Sequence, residues 1–138
     1  MWYYEDKEVQ DIEPKYVAFV YEIENLTNGK KYIGKKRLQF LKTKQVKGKK
    51  KKIKIESDWR DYYGSSDTLK EDIEKLGKEN FRRKILYLCS SLSEASYLEL
   101  REQIDKRVLE SDGWYNEWIM VRVRKPQLKS LKKVDKEA

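Results

Sequence analysis

Residues 16–24, YVAFVYEIE, are dense in Val, Phe and Tyr, the composition of a strand packed on a core. Asn25-Leu26-Thr27-Asn28-Gly29 follows, and its Asn-Gly pair predicts a tight hairpin turn, because such a turn needs positive φ. Residues 30–34 read as the return strand. Further on, Ile53 and Ile55 alternate with Lys54 and Glu56, and Gly48 lies between two polar arms. That pattern predicts a second hairpin with arms near 38–46 and 52–57 and a lysine tip. Leu69, Ile73 and Leu76 fall at i, i+4 and i+7, so a helix is expected over 67–76, with Gly77 as its stop. Residues 81–88, FRRKILYL, read as a third core strand. A second helix is expected over about 92–110, capped by Ser93, with Tyr97, Leu100, Ile104 and Val108 as its apolar stripe. Residues 114–124 read as a further strand, and the lysine-rich stretch from Pro126 as a frayed tail.

This order, β-β-insertion-α-β-α-β, predicts a small α+β domain: a central antiparallel three-stranded sheet flanked by helices, with a basic hairpin or loop inserted after the second strand. A length of 138 residues suits one domain. Residues 1–14 carry Glu5, Asp6, Glu8, Asp11 and Glu13 against Lys7 alone, and Pro14 closes them. They read as an acidic leader, irregular or at most a short edge strand. The expected organisation is therefore leader 1–14, domain 15–124 with the insertion at about 38–57, and basic tail 125–138.

Charge then narrows the partner. The net charge is +8, and from Lys30 to Lys54 there are 13 lysines and arginines and no acidic residue. A polyanion is implied, with nucleic acid ahead of an acidic membrane surface. No apolar run approaches the ~20 residues of a membrane span, and the acidic, aromatic first residues are unlike a signal peptide. Cys89 is the single cysteine, so no intrachain disulfide can form and a reducing, cytoplasmic setting is expected. There is no histidine. That excludes Ser-His-Asp triads, histidine-dependent nucleases and His-containing zinc sites, leaving Tyr, Lys, Asp, Glu or metal-bound water as any general base.

Phe19-Val20-Tyr21 followed by Tyr32-Ile33-Gly34 resembles the paired motif of the GIY-YIG nuclease family, with FVY in place of GIY. Further matches come in order: a helix, Asn80-Phe81 opening a strand, Glu94-Ala95-Ser96-Tyr97-Leu98-Glu99 on a helix, and Tyr115-Asn116. The resemblance covers roughly residues 16–118. The run Trp59…Tyr62-Tyr63-Gly64-Ser65-Ser66 and the later Leu-Gly-Lys-Glu-Asn-Phe are most similar to free-standing phage-type members, which would place the chain in a host cytoplasm.

The resemblance implies a divalent-metal-dependent endonuclease acting on DNA, with no small-molecule cofactor. One of Tyr21 and Tyr32 would be the general base, Tyr32 by preference, and the other would orient water or phosphate. Glu99 would hold Mg2+ or Mn2+, with Glu102, one turn on, as the fallback. On a helical wheel Glu99 lies nearly opposite the expected apolar stripe, so the helix would have to bury two faces. Lys35, Lys36, Arg37 and Arg60 are candidates to stabilise phosphate charge. The family's arginine, about ten residues past the second tyrosine, falls here on Lys42. Lys42, Lys44, Lys47, Lys49, Lys50, Lys51, Lys52 and Asn116 are the expected DNA contacts. Elementary chemistry agrees in outline: a phenol of pKa ~10 needs a nearby cation or metal to serve as a base. Two other readings of the charge are a non-catalytic nucleic-acid-binding module on the same scaffold and a binder of A-form RNA. One site per chain implies nicking unless the protein dimerises.

Overall fold

A computed structural model describes residues 1–120 and 125–128. Its main sheet has five strands in the order β2-β1-β7-β3-β4. They are β1 (Trp2–Tyr4), β2 (Lys7–Val9), β3 (Ala18–Asn25), β4 (Lys31–Arg37) and β7 (Phe81–Cys89). A separate ribbon pairs β5 (Gln39–Val46) with β6 (Lys49–Glu56). Helix α1 (Asp67–Leu76) and helix α2 (Leu92–Asp105) complete the described core.

β3 is an interior strand, between β7 and β4, and is covered on both faces. Phe19, Tyr21 and Ile23 point into one core with Trp2, Trp59, Leu69, Ile73, Phe81, Ile85 and Tyr115. Ala18 and Val20 point into the other, with Ile33, Cys89, Ala95, Val108, Leu109 and Ile119. The period-2 alternation of side chains thus feeds two cores, one beneath α1 and an aromatic segment, the other beneath α2.

The sheet has five strands where three were expected. The leader is not peripheral: Trp2 is 2% exposed, and its indole N–H donates to the Trp59 carbonyl at 2.8 Å. β1 runs parallel to β7 in register Trp2↔Arg83 to Tyr4↔Ile85, and β2 folds back as the edge. Their turn places Glu5 at φ 50° and Asp6 at φ 65°. Both turn residues adopt the left-handed region without a glycine, so the usual hairpin signal is missing from the sequence.

The β3–β4 loop spans residues 26–30, and Gly29 alone within it has positive φ (76°). The buried Asn25 side chain holds it, accepting from the Thr27 N–H at 2.9 Å and the Thr27 hydroxyl at 2.6 Å. Helix α1 runs over 67–76, with Ser66 Oγ accepting from the Leu69 N–H and Gly77 (φ 89°) at its stop. Helix α2 is shorter than expected. Ser91, not Ser93, caps it, accepting from the Glu94 N–H, and the helix ends at Asp105. Arg107 (φ 52°) then turns the chain so that Val108 and Leu109 re-enter the core from a loop.

The expected stripe on α2 is also corrected: Tyr97 is 65% exposed and Ile104 55%. The inward face carries Ala95, Glu99 and Gln103, spaced by one helical turn. The 114–124 strand is not seen among the described residues. Trp114 makes a single bridge to Lys31, and residues 121–124 lie outside the description, as does the tail beyond 128.

Trp2→Ala should cost about 3 kcal/mol or more, because it opens a cavity between three strands and Trp59. Urea denaturation measures this, and an unchanged midpoint would show that β1 is dispensable.

Candidate active site

The site forms where β4 is an edge strand. Ile33, between Tyr32 and Gly34, pairs with Glu22 on one side only. On its open side Asn116 takes the place of a missing strand. The Ile33 N–H donates to Asn116 Oδ1 at 3.1 Å, and Asn116 Nδ2 donates back to the Ile33 carbonyl at 2.8 Å. Gln103 Nε2 adds a second donor to that carbonyl at 3.1 Å. Asn116 is 2% exposed. Both ends of its amide are spent on backbone, and it lines the same groove as Tyr32 and Glu99. Tyr115 fixes the same segment from the other side, donating to Asp72 on α1 at 2.6 Å and accepting from Asn25 Nδ2 at 3.0 Å.

Held in this way, β4 borders an open groove of about 720 Å³ whose walls include Tyr32, Lys35, Ser65, Glu99 and Gln103. Tyr32 comes from one face of the strand and Lys35 from the other, so the groove wraps the sheet rim. Tyr32 Oη is 2.9 Å from Ser65 Oγ. Lys35 Nζ donates to Ser96 Oγ at 2.6 Å, one turn before the half-buried Glu99. The Glu99 carboxylate also takes a hydrogen bond from the Lys35 backbone.

Tyr21 lies behind this wall. It is 1% exposed and sits opposite Gly34 in the ladder. A Cβ on Gly34 would fall 2.5 Å from Tyr21 Oη, 2.7 Å from its Cζ and 2.9 Å from Tyr32 Cε1. The glycine of the Y-I-G triplet therefore gives the two rings their space. Their centroids are 6.1 Å apart, and Tyr62 meets Tyr21 edge-on at 5.9 Å.

The electrostatics follow from burial. Desolvation pushes the Tyr21 phenol well above its usual range, with the neighbouring phenols and Glu99 adding to the rise. Tyr32 is also raised, chiefly by burial, although its hydrogen bond with Ser65 pulls the other way. Both phenols are neutral at pH 7. Burial likewise raises the Glu99 carboxyl, opposed by the Lys35 charge and the Lys35 backbone hydrogen bond.

The other sequence candidates lie elsewhere. Lys36 is bound to Asp58 at 2.6 Å and lies 4.1 Å from the Tyr62 ring centroid. Arg37 is exposed at the end of β4 and lines a different cavity with Gln39, Leu41 and Leu92. Arg60 is tied to Asp11 at 2.8 Å and to Glu56 at 3.1 Å, neither of which borders the groove. Glu102 accepts from Tyr87 Oη at 2.5 Å and pairs with Lys106 at 3.2 Å, so the fallback ligand is already engaged. Lys42, Lys44, Lys47, Lys49, Lys50, Lys51 and Lys52 all belong to the β5–β6 ribbon and its tip. Lys42, the position of the family arginine, thus lies outside the groove, and among the described residues Lys35 is the cation on its wall. Sequence reasoning missed Ser65 and Gln103. Gln103 had a readable signal, one helical turn beyond Glu99 on the same face.

No group of three or more acidic, cysteine or histidine side chains is gathered for a metal among the described residues. Three carboxylates line the groove, Glu99, Asp67 and Glu117, without gathering into one cluster, and a single one such as Glu99 fits a hard cation of the Mg2+ type, which keeps several waters and completes its shell with substrate phosphate.

A family model described as "Putative endonuclease segE, GIY-YIG domain" matches residues 2–119. The chain belongs to the GIY-YIG family. It is 35% identical over 98 residues to a curated protein of Enterobacteria phage T4 named "Putative endonuclease segE". The alignment covers 71% of this chain, which spans 39% of that relative's length. No solved structure matches the chain. The family match starts within β1, in keeping with the leader's place in the sheet.

Gly34→Ala should destabilise the fold by about 1–3 kcal/mol by overpacking the two rings. Denaturant titration checks this, and full stability would mean that the tyrosines have room to spare.

Proposed function

We propose that this chain is a divalent-metal-dependent endonuclease that hydrolyses DNA phosphodiester bonds. The observation that carries the reading is the meeting of Tyr32, Lys35 and Glu99 in one open groove at the rim of β4. The T4 relative's name and the family support the same class of reaction.

The geometry favours Tyr32 as general base, because Tyr21 is sealed behind Gly34 while Tyr32 borders the groove. Ser65 orients the Tyr32 hydroxyl, and Tyr21 backs the ring. A phenol serves as a base only after it has lost its own proton, so positive charge beside it must favour the phenolate. Lys35 is the cation on the groove wall among the described residues, and its ammonium would face the developing charge on phosphate, leaving the bound metal to favour the phenolate. Glu99 would hold Mg2+ or Mn2+, whose chemistry is to draw charge from phosphate oxygens and acidify water. Burial of Tyr21 behind the wall keeps solvent from the inner side of the pair. With one such groove per chain, a monomer would leave a nick.

Tyr32→Phe and Glu99→Gln should each lower nicking of supercoiled plasmid in Mg2+ by about 100-fold or more, with binding to duplex DNA retained. Wild-type cleavage by both variants would remove the site assignment. Binding without any cut by the wild-type chain in Mg2+ or Mn2+ would favour a non-catalytic nucleic-acid-binding module.

The acid side of the pH–rate profile follows from Glu99. A metal ligand must be deprotonated, and burial raises this carboxyl. At subsaturating Mg2+, cleavage should therefore fall, as pH drops, at a value above the ~4.3 of an ordinary glutamate. A profile flat down to that value would show that Glu99 does not titrate in the active complex.

A further inference from the structure

The β5–β6 ribbon stands apart from both cores. It pairs in unbroken register from Gln39↔Glu56 to Val46↔Lys49, and it turns on Lys47 (φ 51°) and Gly48 (φ 78°). Two adjacent left-handed residues make the tight turn that matches strand twist, so the tip is a defined hairpin end. The base is anchored: Leu38 is buried, the Ser57 N–H donates to the Leu38 carbonyl at 2.9 Å, and Ser57 Oγ donates to the Arg37 carbonyl at 2.5 Å. The ribbon thus continues directly from the strand that carries Tyr32 and Lys35. At ~3.3 Å per residue, eight-residue arms reach about 26 Å from that base.

Its charge is unbalanced. Between Gln39 and Glu56 there are eight lysines, and Glu56 is the one acidic residue. Lys44 and Lys51 face each other directly across the ladder, a repulsive arrangement that an isolated hairpin does not favour. Paired residues share a face, so Lys42, Lys44, Lys49 and Lys51 lie on one side and Lys50, Lys52 and Lys54 on the other. A ribbon laid flat against the outside of a nucleic-acid backbone would leave one of these faces idle. A ribbon sunk in a groove has a phosphate wall on each side. The B-form major groove, about 12 Å wide, admits a two-stranded ribbon, whereas the A-form major groove is too deep and narrow for side chains to read.

We propose that the β5–β6 ribbon lies in the major groove of duplex DNA, with lysines from both faces on the two flanking phosphate rows. It holds the duplex on one side of the cut site, over about 8 base pairs at 3.4 Å each. This assignment names the substrate form for the groove described above and rests on that reading for its orientation, but it is testable without cleavage.

Binding of the full chain to a nick-free duplex is measured in EDTA, so that no cutting occurs, from about 50 to 300 mM salt. Lys44 and Lys51 are exposed, so the Lys44→Ala/Lys51→Ala double variant keeps the fold. Its slope of log K against log salt should be shallower by about 2. A major-groove ligand such as methyl green should displace the protein, a minor-groove ligand such as netropsin should not, and a duplex RNA of the same sequence should bind at least about tenfold more weakly. An unchanged slope, displacement by netropsin alone, or equal affinity for duplex RNA would each overturn the proposal. Loss of cleavage with these binding results intact would count against the nuclease reading and not against the ribbon.

Discussion

The arrangement depends on how the open edge of β4 is satisfied at Ile33. An edge strand presents N–H and C=O groups that must find partners. Here two side-chain amides, from Asn116 and Gln103, do the work of a sixth strand. A true strand at that position would cover the rim and bury Tyr32 and Lys35. Side chains satisfy the same groups over one residue and leave the rim open. Before Ile33 the edge is closed at Lys31 by the backbone of Gly113 and Tyr115, and the groove opens where those backbone pairings stop and side chains take over.

The same contacts bring the distant parts of the chain together. Gln103 docks α2 with its Ala95–Glu99–Gln103 face toward β4, which aims a carboxylate at the rim although Tyr97 and Ile104 face solvent. Asn116 and Tyr115 bind the chain's later segment to β4, to the β3–β4 loop and to α1. On the far side, Gly34 lets two phenols pack where any side chain would collide. The result is a site whose acids and phenols are partly desolvated. Such a site is electrostatically poised: each buried group resists charging until a counter-charge arrives.

Much of this was legible in the chain. The two tyrosines, Y-I-G, and the β3–β4 hairpin come from local composition and a turn signal. Helix α1 comes from simple periodicity with clear caps. What failed did so for physical reasons. The β1–β2 hairpin turns through Glu5 and Asp6 without glycine, so an acidic leader hid two strands. Helix α2 buries a polar glutamine, hydrogen-bonded to Ile33, and exposes Tyr97 and Ile104, so only Leu100 and Val108 of the expected stripe reach the core. Asn116 has the look of a surface polar residue, and its role depends on a strand 83 positions earlier. Lys42 and Arg60 are near in sequence to the site but are carried away by the ribbon and by an ion-pair cluster with Asp11 and Glu56.

One groove at the rim of β4 gathers Tyr32, Lys35 and Glu99, and the metal role proposed for Glu99 is tested there. The most direct measurement is paramagnetic broadening of backbone amide signals by substoichiometric Mn2+. Broadening is expected around residues 32–35, 65–68 and 99–103 in the wild-type chain, and its loss there is expected in Glu99→Gln. Broadening centred on another acidic cluster, or unaltered by Glu99→Gln, would contradict the account.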